Sequence, residues 1–146
     1  MQDKTRSPGM ELARGVARGL RQVGFEPICE FVLARGLRVD VLALGAKGEI
    51  WIVECKSSLG DFRSDRKWPG YLPWCDRFFW AVDATFPRDV LPETHGLILA
   101  DRYGAQIMQL GDETKLAPAR RKAVTLAAAR AGLRRLHGQL DPSAGL

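Results

Sequence analysis

The stretch from Arg38 to Lys56 reads RVDVLALGAKGEIWIVECK and decides the fold. It contains two β-rich runs, Val39 to Leu44 and Glu49 to Lys56, separated by a turn with a glycine at each end. A three-residue loop, Ala46 to Gly48, with its last glycine in the left-handed conformation, is typical of such a turn. The sequence therefore predicts a β-hairpin.

The register of this hairpin brings charged side chains together. It pairs Gly45 with Glu49 and places Asp40 directly opposite Glu54, while Lys56 shares their face two residues further on. The other hairpin positions are mostly apolar on both faces, so the strands are expected to be buried on both sides. Burial and mutual repulsion raise the pKa of at least one of two adjacent carboxyls unless a cation lies between them.

A divalent metal ion would supply that cation. Carboxylate oxygens suit Mg²⁺ or Mn²⁺, and Mg²⁺ takes one or two carboxylates while water and phosphate oxygens complete its shell. Lys56 would then be a point charge beside a reacting phosphate. The alternative is a salt bridge between Lys56 and one of the two carboxylates.

Asp40, a spacer of 13 residues and Glu54-Cys55-Lys56 resemble the D…ExK signature of the PD-(D/E)XK nuclease superfamily, with Val39 where the superfamily's name has proline. The hairpin and the blocks DFRSDRKWPGY, CDRFFWAV and LAPARRKAVTLAAARAGLRRL look like the MmcB-like bacterial DNA-repair family over most of the chain. The resemblance implies a restriction-endonuclease-like core, Mg²⁺ or Mn²⁺ as cofactor and DNA as partner. Many relatives act as dimers, so a homodimer is a further expectation.

The resemblance also assigns site residues. Asp40, Glu54 and Lys56 would be catalytic, and the metal ligands would be Asp40, Glu54, the Cys55 carbonyl and Glu30. Glu30 lies in a strand predicted from Phe25 to Leu33; a three-residue turn after that strand would place it opposite Asp40, and a two-residue turn at Arg35-Gly36 would place it on the other face. Glu11 would be an additional acid on the first helix, or else form an ion pair with Arg14.

Positive charge is concentrated near the C-terminus. The chain carries a net charge of +5, and six Lys or Arg residues without any acid lie between Ala117 and Gly138. A helix is expected after Pro118. Its core-facing seam is predicted to be Leu126, Ala129, Leu133, Leu136 and Leu140, with Arg120, Arg134 and Arg135 on the opposite side as candidate DNA contacts. A solvated basic surface is the alternative.

A second short helix is expected directly after Lys56. Ser57 or Ser58 caps a helix predicted from Leu59 to Trp68, which Pro69-Gly70 ends. Its position puts Arg66 and Lys67 near the site, where either could contact a phosphate. Trp68 and Tyr71 are expected in the core rather than stacked on bases.

The 146 residues fit one α/β domain over 10–140, with loose tails at 1–9 and 141–146. The predicted order is a helix from Met10, three strands, a helix and a strand, then a strand pair and the basic helix, giving a mixed sheet flanked by helices. No segment resembles a membrane span or a signal peptide, so the protein is expected to be cytoplasmic. Three cysteines and two histidines suggest neither disulfides nor a zinc site, and no phosphate-binding glycine-rich loop indicates a nucleotide cofactor.

The first functional hypothesis is a metal-dependent DNA endonuclease acting in repair. A second hypothesis is a DNA-binding repair module with a nuclease-like fold that does not cut, which would tolerate Asp40→Asn. A third is an RNA-processing nuclease with the same site, because nothing in the sequence addresses the 2′-hydroxyl that distinguishes RNA from DNA.

Overall fold

The computed structural model describes residues 7–144, which form one mixed six-stranded sheet with helices on both faces. The helices are α1 (Pro8–Gln22), α2 (Leu59–Ser64) and α3 (Pro118–Leu140), and the strands are β1 (Glu26–Ala34), β2 (Leu37–Leu44), β3 (Ile50–Cys55), β4 (Arg77–Val82), β5 (Gly96–Ala100) and β6 (Ala105–Gln109). Strands lie side by side in chain order; β3, β4 and β5 run parallel, and the other pairs are antiparallel. The predicted α/β class, mixed sheet and element order are confirmed.

The hairpin formed by β2 and β3 has the predicted register. Val41 pairs with Val53, and Leu44 pairs with Ile50. The Gly45 N–H donates to the Glu49 carbonyl at 2.8 Å, and Gly48 has φ of +90°. Only glycine adopts that conformation without steric cost, so Gly48 fixes the three-residue loop and, through it, the pairing of the strands.

Apolar layers cover both faces of the sheet. On one face, α1 packs Leu12 and Val16 against a cluster that includes Trp51 of β3. On the other, the 3₁₀ segment Trp68–Trp74 and α3 pack against a cluster that includes Trp80 of β4. Every residue of β3 is buried, as the sequence predicts. Full burial of one large apolar side chain stabilises a fold by about 1.5–3 kcal/mol.

Helix α1 begins at Pro8, two residues before the predicted start, because the Ser7 hydroxyl accepts a hydrogen bond from the Met10 N–H and caps the helix. The tail predicted over residues 1–9 is therefore helical at its last two positions, and residues 1–6 lie outside the described part. Val23 follows the apolar spacing of this helix but is 53% exposed, because the chain leaves the helix at that residue.

The connection between β1 and β2 combines the two predicted alternatives. Ala34 pairs with Leu37, so the turn has two residues, but a register shift between Val32 and Ala34 adds one residue to β1. Beyond the shift, Cys29 pairs with Val41 and Phe31 with Val39, which puts Glu30 at the register position opposite Asp40. Glu30 itself has φ of +52°, the only positive φ of a non-glycine residue within 7–144.

The prediction of a helix from Leu59 to Trp68 is wrong in its length. Helix α2 ends at Ser64 because Asp65 takes an extended conformation and its carboxylate accepts hydrogen bonds from the Lys67 and Trp68 N–H groups. Pro69 then lies in the first turn of the 3₁₀ segment Trp68–Trp74 instead of ending a helix.

The predicted core-facing seam of α3 is also wrong. Leu126, Leu133, Leu136 and Leu140 are 57%, 66%, 52% and 76% exposed, and Ala129 is exposed as well. Val124 and Ala128 are the buried residues of this helix. Small side chains let the helix approach the sheet closely, and the leucines are left on the outer side.

Arginine side chains fasten α3 to the body at both ends. Arg121 near the start forms an ion pair with Asp76 at 2.7 Å, and Arg135 near the end donates to the Cys29 and Glu30 carbonyls. Arg120 lies over the ring of Trp74 at 4.0 Å. The prediction that Arg120 and Arg135 point away from the body is therefore wrong, because their guanidinium groups find acceptors and an aromatic face there.

Candidate metal and nucleic-acid site

Asp40 and Glu54 lie where the ladder between β2 and β3 stops. The last paired residues are Val41 and Val53. Beyond them, Asp40 Oδ2 accepts a hydrogen bond from the Cys55 N–H at 2.8 Å, and Glu54 Oε1 accepts one from the Asp40 N–H at 3.0 Å. Each carboxylate thus satisfies a backbone donor that the ladder no longer pairs, and the two side chains converge as the register predicts.

The alternation of side chains along β2 is irregular at Asp40. In a regular strand Val39 and Val41 would share a face, yet Val39 packs in the cluster that contains Leu42, and Val41 packs in the opposite cluster. The alternation of side chains is therefore broken at Asp40. The break lies beside Glu30 of β1, whose positive φ interrupts the neighbouring strand at the same level.

Burial strongly disfavours the charge on Glu54. The residue is 4% exposed, and desolvation, followed by the charge of Asp40, raises the pKa of Glu54 to about 9. The Asp40 N–H and Lys56 lower this pKa but do not compensate. Burial also raises the pKa of Asp40, against the Cys55 N–H, which lowers it. At neutral pH, and without a metal cation, the pair retains a proton.

Lys56 is buried and charged beside this pair. Its Nζ lies 2.7 Å from Asp65 Oδ2 and 4.0 Å from Asp61 Oδ1. Burial lowers the pKa of Lys56, but the hydrogen bond and charge of Asp65 and the charges of Asp61 and Glu54 outweigh it, so the net shift is upward. The alternative of a salt bridge from Lys56 to Asp40 or Glu54 is wrong: the partner is Asp65.

Asp61 of α2 and Asp65, which directly follows α2, were not among the predicted site residues. Burial raises the pKa of Asp65, but its hydrogen bonds from Lys56 and from two backbone N–H groups outweigh that effect and lower it. Asp61 accepts a hydrogen bond from the Ser57 N–H, and its charge raises the pKa of Asp40. The available sequence signal was two acids four residues apart in the segment that follows Lys56.

The donor set fits Mg²⁺ or Mn²⁺. Within residues 7–144, no group of three or more His, Cys, Asp or Glu side chains could hold a metal ion, so the protein offers the carboxylates of Asp40 and Glu54. Mg²⁺ characteristically takes one or two carboxylates and completes its shell with water and phosphate oxygens. Burial raises the pKa of the Cys55 thiol well above its usual range, which disfavours the thiolate form that binds metals. The Cys55 carbonyl as a metal ligand stays a prediction.

The other predicted acids lie elsewhere. Glu30 is exposed and lines a groove of about 350 Å³ between β1 and α3, together with Arg130, Arg134 and Arg135. Glu11 forms an ion pair with Arg102 of the β5–β6 turn, at 3.4 Å from the arginine Nε, and not with Arg14. The structure brings neither acid into the Asp40–Glu54 pair, and their roles as metal ligands stay predictions.

Arg66, Lys67 and Arg134 are exposed, and none of them forms an ion pair within residues 7–144. Arg66 and Lys67 directly follow Asp65, which binds Lys56. Arg134 shares its groove with Arg130, a residue that the sequence analysis did not select although it lies one helical turn away on the same side of α3. These exposed cations are available to phosphate groups.

A second buried charge cluster, near the start of β4, has a structural role. Asp76 is 4% exposed and accepts hydrogen bonds from the Ile50 and Leu116 N–H groups as well as from Arg121. Burial raises its pKa, and these four donors outweigh that effect and lower it. Asp76 thereby joins β3, the segment before α3 and α3 itself.

No helix within residues 7–144 is both long enough and apolar enough to cross a lipid bilayer.

Among solved structures, the chain is similar to an SPO1766 protein of unknown function from Silicibacter pomeroyi, with 56% identity over 97% of each chain and a TM-score of 0.93. A repair endonuclease from Pyrococcus abyssi matches 56% of this chain and 40% of its own, with 22% identity and a TM-score of 0.38. No curated protein matches. The family described as DNA repair protein MmcB-like matches residues 2–143, and the chain therefore belongs to the MmcB-like family of DNA repair proteins.

Proposed function

We propose that this protein hydrolyses phosphodiester bonds of DNA, with a divalent metal ion held by Asp40 and Glu54 and with Lys56 as the catalytic cation. The observation that carries the proposal is the buried carboxyl pair, which keeps a proton in the absence of a metal although a charged lysine lies beside it. Two adjacent buried carboxyls are an unfavourable way to stabilise a fold. Strongly shifted pKa values of this kind cluster at functional sites.

Each residue of the site has a distinct task in this proposal. Bound Mg²⁺ or Mn²⁺ would polarise the scissile phosphate and lower the pKa of the attacking water. Asp40 and Glu54, each fixed by a backbone hydrogen bond, would hold the ion from adjacent strands. Lys56 places a positive charge where negative charge develops on the phosphate, and Asp65 keeps its ammonium group away from the two carboxylates.

The exposed cations supply the contacts to the DNA backbone. Arg66 and Lys67 directly follow the residue that binds Lys56, and Arg130 and Arg134 line the groove along β1. Phosphate contacts position a nucleic acid without reading its sequence, and they make binding sensitive to salt. We infer a backbone-reading protein that selects the structure of DNA more than its base sequence.

The direct test is a cleavage assay with purified protein on nicked, branched, single-stranded and duplex DNA in Mg²⁺ or Mn²⁺. Asp40→Asn and Lys56→Ala should each reduce the rate by about 100-fold or more, and a chelator should abolish cleavage. Glu93→Gln is the matched control, because Glu93 is an exposed acid outside the site. Circular dichroism would establish that each variant is folded.

The same experiment separates the alternatives. One outcome is that the wild type binds DNA but cuts none of these substrates, and that the Asp40→Asn variant binds DNA as well as the wild type does. That outcome would refute the nuclease proposal and favour a DNA-binding repair module. Matched RNA and DNA strands of the same sequence decide the substrate class: preferential cleavage of RNA would move the activity to RNA processing.

A further inference from the structure

Tyr103, in the turn between β5 and β6, holds its ring in solvent. The chain has six Phe, four Trp and two Tyr residues, all within residues 7–144. Tyr103 is 67% exposed, whereas every other aromatic residue packs in or against one of the two apolar clusters. One exposed aromatic side chain is ordinary by itself. The support of this ring and its place in the fold indicate a binding role.

The turn that carries Tyr103 is fixed from two sides. Asp101 Oδ1 accepts hydrogen bonds from the Tyr103 and Gly104 N–H groups, at 2.8 and 3.1 Å, and the Asp101 N–H donates to the Gly104 carbonyl at 3.0 Å. Helix α1 packs directly on the turn, because a β-carbon at Gly15 would collide with the Asp101 carbonyl. Arg18 of the same helix donates to the Tyr103 carbonyl at 3.3 Å. A ring on such a support loses little conformational freedom when it binds a ligand.

The turn lies at the edge of the sheet that carries the candidate metal site. Because β3, β4 and β5 run parallel, their C-terminal ends meet at one edge. The turn begins at the end of β5, and Lys56 directly follows the end of β3. Adjacent strands are about 4.8 Å apart, so these two points lie roughly 10 Å apart across the sheet.

Tyr103 also lines a depression of about 650 Å³ at this edge, here called the Tyr103 depression. Leu99 forms part of its wall and packs against the same apolar cluster as Ile50 and Ile52. Side chains alternate along β3, so Glu54 lies on the face of those two isoleucines. The depression therefore reaches the face and the edge of the sheet that hold the carboxyl pair.

The Tyr103 depression suits a nucleic-acid base better than a phosphate. Asp83 and Asp101 line it, and a phosphate would meet their negative charge. Gln106 lines it too, and its exposed side-chain amide can both donate and accept hydrogen bonds. Positive charge lies beside the ring, where the Arg102 guanidinium is 5.4 Å from the ring centroid of Tyr103. The turn thus combines a stacking face with a neighbouring cation, a pairing typical of sites that bind single-stranded nucleic acid.

We propose that Tyr103 stacks on an unpaired base of DNA and thereby brings substrates with a single-stranded segment to the adjacent Asp40–Glu54 site. In a duplex the faces of each base are covered by its neighbours, so only an unpaired or terminal base presents a face to a side chain. Arg102, held by Glu11, lies over one face of the ring and leaves the other to the base. The choice of DNA rests on the proposed function, whereas the stacking contact itself does not require cleavage.

Binding assays in chelator test the contact without cleavage. Tyr103→Ala should bind single-stranded and branched DNA about 5- to 150-fold more weakly than the wild type, which is the effect of losing one stacked base, and should bind blunt duplex DNA equally well. Tyr103→Phe keeps the ring and should bind like the wild type. Leu110→Ala is the matched control, since it removes another exposed apolar side chain just beyond the far end of β6. Circular dichroism would verify that each variant is folded.

The outcomes distinguish this contact from the nuclease activity. Equal binding of single-stranded DNA by the wild type and Tyr103→Ala would overturn the stacking proposal, even if the wild type cuts DNA in Mg²⁺. A Tyr103→Phe variant that binds as weakly as Tyr103→Ala would also overturn it, because the hydroxyl group and not the ring face would then make the contact. A wild type that binds single-stranded DNA through the Tyr103 ring but cuts no DNA in Mg²⁺ or Mn²⁺ would support the stacking contact and refute the nuclease.

Discussion

Glu54→Gln should stabilise the metal-free protein at neutral pH. In the folded chain the pKa of Glu54 is raised to about 9, whereas its ordinary value is 4.5. The folded state therefore binds a proton that the unfolded state releases above pH 4.5, and the associated stability is complete below that pH and lost as the pH rises through about 9. Between pH 4.5 and pH 7 the free energy of unfolding falls by about 1.4 kcal/mol per pH unit. The loss at pH 7 is therefore about 3 kcal/mol.

Glutamine removes that loss and keeps the local contacts. Its amide oxygen can accept the hydrogen bond from the Asp40 N–H, and its amide nitrogen can donate to the Asp40 carboxylate. The free energy of unfolding of Glu54→Gln should therefore exceed that of the wild type by about 3 kcal/mol at pH 7, with little difference near pH 4.5. In urea this corresponds to a midpoint higher by about 1–3 M, since m is about 1–3 kcal/mol/M.

Urea unfolding of both proteins in chelator, from about pH 5 to about pH 9, measures the effect. The difference between the two proteins is the informative quantity, because burial lowers the pKa of His95, and that group titrates in the same window with the opposite sign. Millimolar Mg²⁺ should stabilise the wild type and not the variant. A difference that does not grow with pH, or a Glu93→Gln control that reproduces it, would refute the account of the carboxyl pair.

Three further predictions follow from other contacts. Asp76→Asn should destabilise the fold by about 3–5 kcal/mol in the same urea assay, because it leaves the Arg121 guanidinium without its charged partner, while Asp112→Asn at an exposed acid should change little. Asp65→Asn should lower the rate of DNA cleavage at saturating substrate without weakening DNA binding; equal rates would show that Lys56 is positioned without the Asp65 charge. Arg134→Ala should weaken DNA binding for all sequences and reduce the slope of log affinity against log salt by about one, whereas an unchanged slope would remove Arg134 from the interface.

The hairpin could be predicted because its information is local. Gly48 permits one loop length, the loop sets the pairing of β2 with β3, and the pairing determines that Asp40 meets Glu54. The side on which Glu30 lies was not decidable in the same way. Its position depends on an extra residue in β1 between Val32 and Ala34 and on a positive φ at Glu30, and neither has a glycine or a proline to mark it.

The outer side of α3 shows a different limit of sequence reasoning. Spacing identifies an apolar stripe correctly, but it does not say what covers the stripe. In this helix the sheet takes the side with Val124 and Ala128, which has fewer large apolar residues, because Arg121 and Arg135 find partners there. Hydrophobic periodicity identifies the most apolar side of a helix. It does not predict which side finds hydrogen-bond or ion-pair partners on the sheet.

The arrangement of Lys56 separates a structural account of the site from a functional one. Glu54 is only two residues away along the chain, and an ion pair between them would have relieved the buried carboxylate at no cost in additional residues. The ammonium group instead binds Asp65, which directly follows α2 and is itself held by the Lys67 and Trp68 N–H groups. The fold thus uses a third acid to keep the cation apart from the carboxyl pair. In the proposed phosphodiester hydrolysis, this separation would leave the two carboxylates to a metal ion and the ammonium group to a phosphate.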